Sequence, residues 1–502
     1  MKDMLSRRDV LGGIGGLPFM LSTSAALGQT EDFTAALSRN PGLLGFATAR
    51  GEQLAAPMTT RSGRLPPDLT GTLWRNGPAE HERFGHRYGH WFDGDGMVQA
   101  FTFTGTAASH RARILDTPKR NRETQAGRRM LPAFATLPPN STGSFRPEDM
   151  NVANTSMLAH AGDLMALWEG GSALSVDPTT LAAGEFIDWS PELAGVPFSA
   201  HPKVEPDGTL WNIGFSPAPR PTLLFYRIAR TGHLVKANIL PIEPLGMVHD
   251  FVVTARHLVL VLTPFVLEPD RFSAGRTSFL DAHVWRPDLA TRVLTIEKDT
   301  LEPARRYELP PGFHFHHGNG WEEQDGTIRL DLCQAPDPEF VLNEFRAVMR
   351  GEWRFPSTFP SYRQVVLRPN GAGEIEQVEQ DATEFPRIDP RRTGLRHRMI
   401  FALTGAAAEG DWPLQRVARI EPDSGTVDSW SYPGHQIPEE HVFVPRGSAE
   451  GDGWLLGPFL DVERRVTGLN IFEAMRLADG PVWQGTLPYP LPLGLHGTFQ
   501  SR

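Results

Sequence analysis

One cysteine, Cys333, is the only thiol in 502 residues. A lone thiol excludes a disulfide framework and every zinc or iron–sulfur site built on paired cysteines. Surplus positive charge is lacking too. Against 59 Asp+Glu the chain sets 49 Lys+Arg, and the resulting −10 speaks against a general nucleic-acid footprint. There is no sustained 3.6-residue apolar stripe, no fixed-period repeat, no Gly-rich phosphate loop ending in Lys-Ser/Thr and no Gly-x-Ser-x-Gly elbow. Beyond the N-terminal segment no apolar run approaches bilayer-spanning length, so the mature chain reads as soluble or peripheral. What the sequence does hold is 29 Phe, 12 Trp and 40% hydrophobic residues, enough to cover a large core and to exclude disorder. Its 49 Gly and 44 Pro fall between short β-branched and aromatic runs, which suits a turn-rich β protein and penalises long helices.

Residues 1–28 read as an address rather than as fold. Ser6-Arg7-Arg8-Asp9-Val10-Leu11 sets paired arginines before the apolar run 14–21, and Ala26-Leu27-Gly28 offers a small-x-small cleavage site. The alternative is a basic tail before a short anchor helix, but the run is short and Gly-rich for a span. The segment resembles a bacterial twin-arginine export signal. That implies a periplasmic protein exported already folded, which would suit one that acquires a metal before leaving the cytoplasm.

The remaining 29–502 reads as one domain of short strands. Runs at 73–76, 98–104, 164–168, 210–215, 223–228, 257–262, 328–332, 362–367 and 453–457 are apolar or alternating, and turn residues bound many of them. Asp207-Gly208, Asp325-Gly326 and Asp452-Gly453 precede such runs as hairpin turns do. Evenly spaced antiparallel strands without a clean linker predict one closed all-β object, most economically a β-propeller; two β-sandwich domains are the alternative on pattern alone. Stretches 267–278 and 335–357 read as insertions, the second partly helical. The apolar, Pro-broken stretch 130–137 reads either as buried cover or as a segment that lines an apolar tunnel or touches a membrane.

Chemistry is sought among the 17 histidines. His81, His86, His110, His233 and His397 stand among charged or turn residues and read as surface. His201, His249, His316 and His496 stand among apolar and small residues, where an imidazolium would be costly. Each alone is more simply a hydrogen-bonded core histidine. Their gaps of 48, 67 and 180 residues fit no helix or hairpin, but strands converging on an axis could bring them together. At Phe313-His-Phe-His-His-Gly-Asn319, alternation puts His314 and His316 on one face and His317 on the other, and it does not choose among the three.

The segments around these residues resemble the carotenoid cleavage oxygenases almost end to end. Leu73-Trp-Arg-Asn-Gly-Pro78 and His90-Trp-Phe-Asp-Gly-Asp-Gly-Met97 are similar to that family's N-terminal signature. Ala200-His-Pro-Lys203, Met247-Val-His-Asp-Phe251, Phe315-His-His-Gly-Asn-Gly-Trp-Glu-Glu323 and Gly494-Leu-His-Gly-Thr-Phe499 resemble its four iron-ligand motifs, in order. The resemblance implies a seven-bladed propeller capped by loops and helices. On its axis it implies one Fe(II) held by His201, His249, His316 and His496. The family motif selects His316, three residues before Asn319, with Gly320 in place of the usual Ala. Four neutral imidazoles suit a divalent first-row metal and leave coordination positions open. Their second ring nitrogens need acceptors. Glu169, Glu384 and Glu440 stand at the family's positions for these, although Glu439 adjoins Glu440 and His441 replaces a usual Pro.

The activity implied is oxidative cleavage of an alkene double bond by dioxygen, with an apolar polyene (a carotenoid or apocarotenoid) as the first expectation and possible peripheral membrane contact. A branch of the family cleaves phenolic stilbenes and holds the phenol with a Tyr and a Lys. Tyr88 and Lys119 lie in the right region, yet they read more simply as a residue packed beside Trp91 and a solvated loop lysine. A dioxygen-independent polyene isomerase or hydrolase and a noncatalytic binding propeller are the other readings. Asp93-Gly-Asp-Gly96 mimics a calcium loop but ends on Thr104 where Glu is required, so it reads as a turn.

Overall fold

The computed structural model describes residues 30–502 apart from 140, 142–145, 218–219, 274–276, 356–357 and 406–411; the export-signal reading of 1–28 lies outside the described residues. Among the described residues the chain is mostly strand, in separate antiparallel sheets. Three four-stranded meanders follow in chain order. They run Ser156–His160 to Ala183–Phe186, Lys203–Val204 to Leu234–Pro241, and Val252–Val253 to Pro303–Leu309. A seven-stranded meander then runs from Phe313–Glu322 to Thr426–Ser431. Two six-stranded sheets mix the two ends of the chain: Gly497–Ser501 pairs with Thr70–Arg75, and Thr59–Gly63 pairs with Trp483–Thr486. Among the described residues no sheet closes on itself, and strand pairing alone does not resolve seven blades.

All nine predicted runs are strands, most of them longer than the apolar pattern indicated. Their buried faces carry the core: in His257–Leu262 five consecutive side chains from Leu258 are shielded, as in a strand covered on both faces. Gly208 and Gly326 adopt φ of 87° and 85° in the predicted turns. At the third turn it is Gly451 (φ 79°) that takes the left-handed conformation, while Gly453 already belongs to the strand. The insertion at 335–357 is partly helical, with a π-turn Phe340–Glu344 running into helix Phe345–Met349.

Three histidines expected at the surface are buried: His81, His110 and His397. His110 lies in the strand Ala108–Ile114, where alternation buries every second residue whatever stands beside it, whereas His81 and His397 lie outside strands. His110 lies tilted against Phe101 at 4.5 Å and bonds Tyr489, and His397 pairs with the buried Asp331 at 2.9 Å. His86 and His233 are exposed as expected.

Glu322 ends the strand Phe313–Glu322 and accepts from Thr254 Oγ1, Arg256 and His257. Burial opposes its charge, but these donors outweigh it and hold its carboxyl down at about 2. A carboxyl depressed on folding contributes stability above its unfolded pKa, and that contribution is lost as pH falls through the folded value. Glu322→Gln should therefore lower the thermal midpoint at pH 7, and the difference from wild type should vanish as pH falls from about 4.3 to 2.

Candidate metal centre

The four histidines singled out above stand where sheets begin. His201 precedes Lys203–Val204, His249 precedes Val252–Val253, His316 lies within Phe313–Glu322 and His496 immediately precedes Gly497–Ser501. Their donor atoms all lie within 4.8 Å of one another. Nε2 of His201 is 2.8 Å from that of His249, which is 3.2 Å from that of His316, itself 3.1 Å from that of His496. Register irregularities between His314 and His317 and again between His317 and Gly320 interrupt the two-residue alternation of this strand. They turn His316 inward, while the rings of His314 and His317 meet each other, tilted, at 4.9 Å.

Glutamates hold the rings from behind. Glu169 Oε1 meets Nδ1 of His249, Glu384 Oε2 lies 2.5 Å from Nδ1 of His316, and Glu440 Oε1 lies 2.8 Å from Nδ1 of His496. His201 has no carboxylate within ion-pair reach among the described residues. An imidazole that donates Nδ1–H to a carboxylate presents a lone pair at Nε2. Three such lone pairs converge with the Nε2 of His201, and at these separations they repel unless a cation lies among them. The donor set therefore fits a divalent first-row metal. Burial keeps His201 well below the ordinary imidazole range, helped by the neighbouring His249, and pushes His496 to about 3 against the pull of Glu440. Burial alone would lower His316 as well, but the Glu384 carboxylate beside it raises it on balance.

Beyond the glutamates stand residues that sequence reasoning did not assign. Arg75, fully shielded from solvent, donates to Glu439 at 2.8 Å and to Glu440 at 3.4 Å; Arg387 donates to Glu440 at 2.8 Å. Arg75 lies in the Leu73-Trp-Arg-Asn-Gly-Pro78 segment noted above and Arg387 three residues after Glu384, and no local pattern marks either as a partner of Glu440. Phe385 has φ 56°, a left-handed backbone costing about 1–3 kcal/mol for such a residue. Its ring stands 5.6 Å from His316 and 5.5 Å from His496.

On its other side the cluster meets aromatic rings. Phe315 stands 4.8 Å from His249, and Phe92 reaches both Phe315 and Phe134, at 5.9 and 6.0 Å. Phe134 belongs to the apolar stretch 130–137, whose Leu131 and Ala135 are buried while Phe134 itself is half-buried. Asp93 tethers it by accepting from Ala135 N at 2.8 Å and from Thr136 Oγ1 at 2.5 Å. Burial raises the Asp93 carboxyl to about 6 in spite of these bonds. A carboxyl raised on folding favours the folded state most when protonated, so its charge costs stability above pH 6. Asp93→Asn, which keeps an acceptor, should raise the thermal midpoint at pH 8 and lose that advantage by pH 4. Differential scanning calorimetry at the two pH values checks it.

Tyr88 and Lys119 do meet, contrary to the reading of Lys119 as a solvated loop residue. Lys119 lies in helix Pro118–Ala126, fully buried, with Nζ against the Tyr88 hydroxyl, 3.2 Å from Glu123 and 3.7 Å from Asp95. Thr117 caps the helix and Pro118 opens it, signals a loop reading overlooked.

Comparisons with known proteins address the family and the fold. The family model described as retinal pigment epithelial membrane protein (RPE65) matches residues 46–501. The apocarotenoid-15,15'-oxygenase of Synechocystis sp. is 28% identical over 459 residues, covering 87% of this chain and 91% of that protein. Lignostilbene-alpha,beta-dioxygenase isozyme III of Sphingomonas paucimobilis is also 28% identical, over 462 residues, covering 87% and 92%. The solved structure of cobalt-substituted Synechocystis apocarotenoid oxygenase superposes with a TM-score of 0.82 at 26% identity, covering 92% of this chain and 99% of that one.

Proposed function

This chain belongs to the retinal pigment epithelial membrane protein/carotenoid cleavage oxygenase family, and from that premise we propose a nonheme Fe(II)-dependent dioxygenase that cleaves an alkene double bond of an apocarotenoid or carotenoid. The supporting observation is the convergence of four Nε2 atoms, three of them on rings pinned by Glu169, Glu384 and Glu440. His201, His249, His316 and His496 hold one Fe(II) per chain. Bound there, Fe(II) supplies open coordination positions and the electrons with which dioxygen is activated. The reaction balances without another reductant: the double bond and dioxygen are consumed, and each former alkene carbon leaves as a carbonyl with one oxygen atom. The glutamates fix the tautomer and direction of the rings. Phe92, Phe134 and Phe315 keep water from an apolar chain and align one double bond beside the cluster. The overall change transfers no proton, so the balance requires no side-chain general base.

The separate sheets are blades of a seven-bladed propeller, with 29–502 as its single domain and the ligands at the inner ends of the blades. The paired arginines of the N-terminal segment direct export to the periplasm after folding, and the apolar character of a polyene substrate makes peripheral contact with a membrane part of the reading.

One observation favours a second substrate class, a hydroxylated stilbene: the contact of Lys119 with the Tyr88 hydroxyl. Against it, Glu123 and Asp95 already engage the lysine. Iron-loaded protein given an apocarotenal and a hydroxystilbene in parallel, with and without oxygen, decides by mass spectrometry. Aldehydes from the apocarotenal alone, formed only with oxygen, are expected. Cleavage of the stilbene alone would transfer the assignment, and turnover without oxygen would replace cleavage by isomerisation or hydrolysis.

A further inference from the structure

Between two strands that both pair with Gly453–Asp461, the chain leaves the ladder. Pro438, at the end of Gln436–Pro438, stands opposite Phe459, and Val442, which opens Val442–Pro445, stands opposite Leu456. Residues 439–441 therefore face only 457 and 458, as in a β-bulge, and the middle one is Glu440, whose carboxylate meets Nδ1 of His496. A buried segment outside its ladder must satisfy its polar groups by other bonds. Arg75 supplies one set, donating to the Glu440 carbonyl at 3.1 Å and to the carboxylates of Glu439 and Glu440.

His441 supplies the other set. Its ring is buried, with Nδ1 2.8 Å from the Glu439 carbonyl oxygen and Nε2 2.8 Å from the Tyr432 hydroxyl. A carbonyl only accepts, so Nδ1 carries the hydrogen and Nε2 accepts from Tyr432. Burial pushes this imidazole down to about 3, which keeps it neutral at pH 7. Tyr432 is itself wedged against Trp430 at 4.6 Å and Phe459 at 5.9 Å. The imidazole lies on Gly457, where a methyl group would overlap it. A proline at 441, the usual residue of the resembling family, would confine Glu440 covalently to extended backbone. Histidine imposes no such limit, and the two ring bonds take that part. We propose that His441, held by Tyr432 and Gly457, is a positioning residue that fixes the 439–441 bulge, aims the Glu440 carboxylate at His496 and so sets the direction of that ligand's Nε2. The inference rests on the metal reading above.

Two readouts test this in the full chain. Iron affinity is measured by competition with a chelator, and ligand geometry by the visible d–d bands of the Co(II)-loaded protein. His441→Phe keeps a buried ring and loses both hydrogen bonds, whereas Gly457→Ala leaves His441 in place and displaces its ring. Each should weaken iron binding by about tenfold or more, as loss of an outer-shell partner does, and should shift the Co(II) bands. His441→Pro loses the same ring bonds but confines Glu440, so it should bind iron within about threefold of wild type even if its thermal midpoint falls. Iron binding within about threefold of wild type in both His441→Phe and Gly457→Ala, with unmoved bands, would overturn the assignment. So would a loss in His441→Pro equal to that in His441→Phe, because the backbone at Glu440 would then not be what His441 controls. Wild type that binds neither metal would remove the metal reading, and this inference with it.

Discussion

His316→Ala should leave a folded protein that holds almost no iron and cleaves no substrate. Elemental analysis should fall from about one iron per chain to near zero. Cleavage should drop by about a thousandfold or more, because the metal supplies several kcal/mol of transition-state stabilisation and each 1.36 kcal/mol is a factor of ten. The sharper comparison lies within the same strand. His314→Ala and His317→Ala should each retain iron, because their rings contact each other and neither belongs to the four-histidine group. Iron lost equally from all three variants would mean that the strand as a whole, and not one ring, determines occupancy. Glu384→Gln should fall between, keeping a neutral acceptor for Nδ1 and losing about 10–100-fold in metal affinity.

Arg75→Met should cost about 3–5 kcal/mol in stability, the range for removing one partner of a buried ion pair. The arginine is completely shielded and serves two carboxylates, Glu439 and Glu440. Without it Glu439 would face Gly494 N alone, and Glu440 would rely on Arg387, His496 and Gly497 N. Because the same carboxylates fix the backbone on both sides of His496, metal affinity should fall together with stability. Denaturant unfolding measures the first and competition with a chelator the second. A variant with wild-type stability would show that both carboxylates protonate or find water, and that the pair is not the clamp described here.

Much of this was legible in the sequence, for reasons that differ by residue. Strands announce themselves through apolar runs bounded by Gly and Asp, and each predicted run is a strand. Two- and three-residue strands such as Lys203–Val204 and Val252–Val253 were not found, since they are too short to show a period. The ligand His316 was selected by resemblance to a family motif and not by alternation, and the structure shows why: the strand is irregular there, and the period that would have chosen a face does not hold. Glu440 looked insecure beside Glu439, yet the two divide the work. One grips Arg75 and Gly494 N, the other His496 and Arg387. Lys119 and His397 were misread because burial of a charged or titratable group depends on partners far along the chain, such as Asp95 or Asp331. No local pattern reports these.

The pairing of Gly497–Ser501 with Thr70–Arg75 also orders events in time. On a ribosome, His201, His249 and His316 are made well before His496, which follows His316 by 180 residues. Until that last strand docks, the nascent chain offers an incomplete set of donors, and a metal caught early would be bound weakly and exchange. A full donor set therefore requires that the strand following His496 pair with Thr70–Arg75, more than 400 residues earlier in the chain.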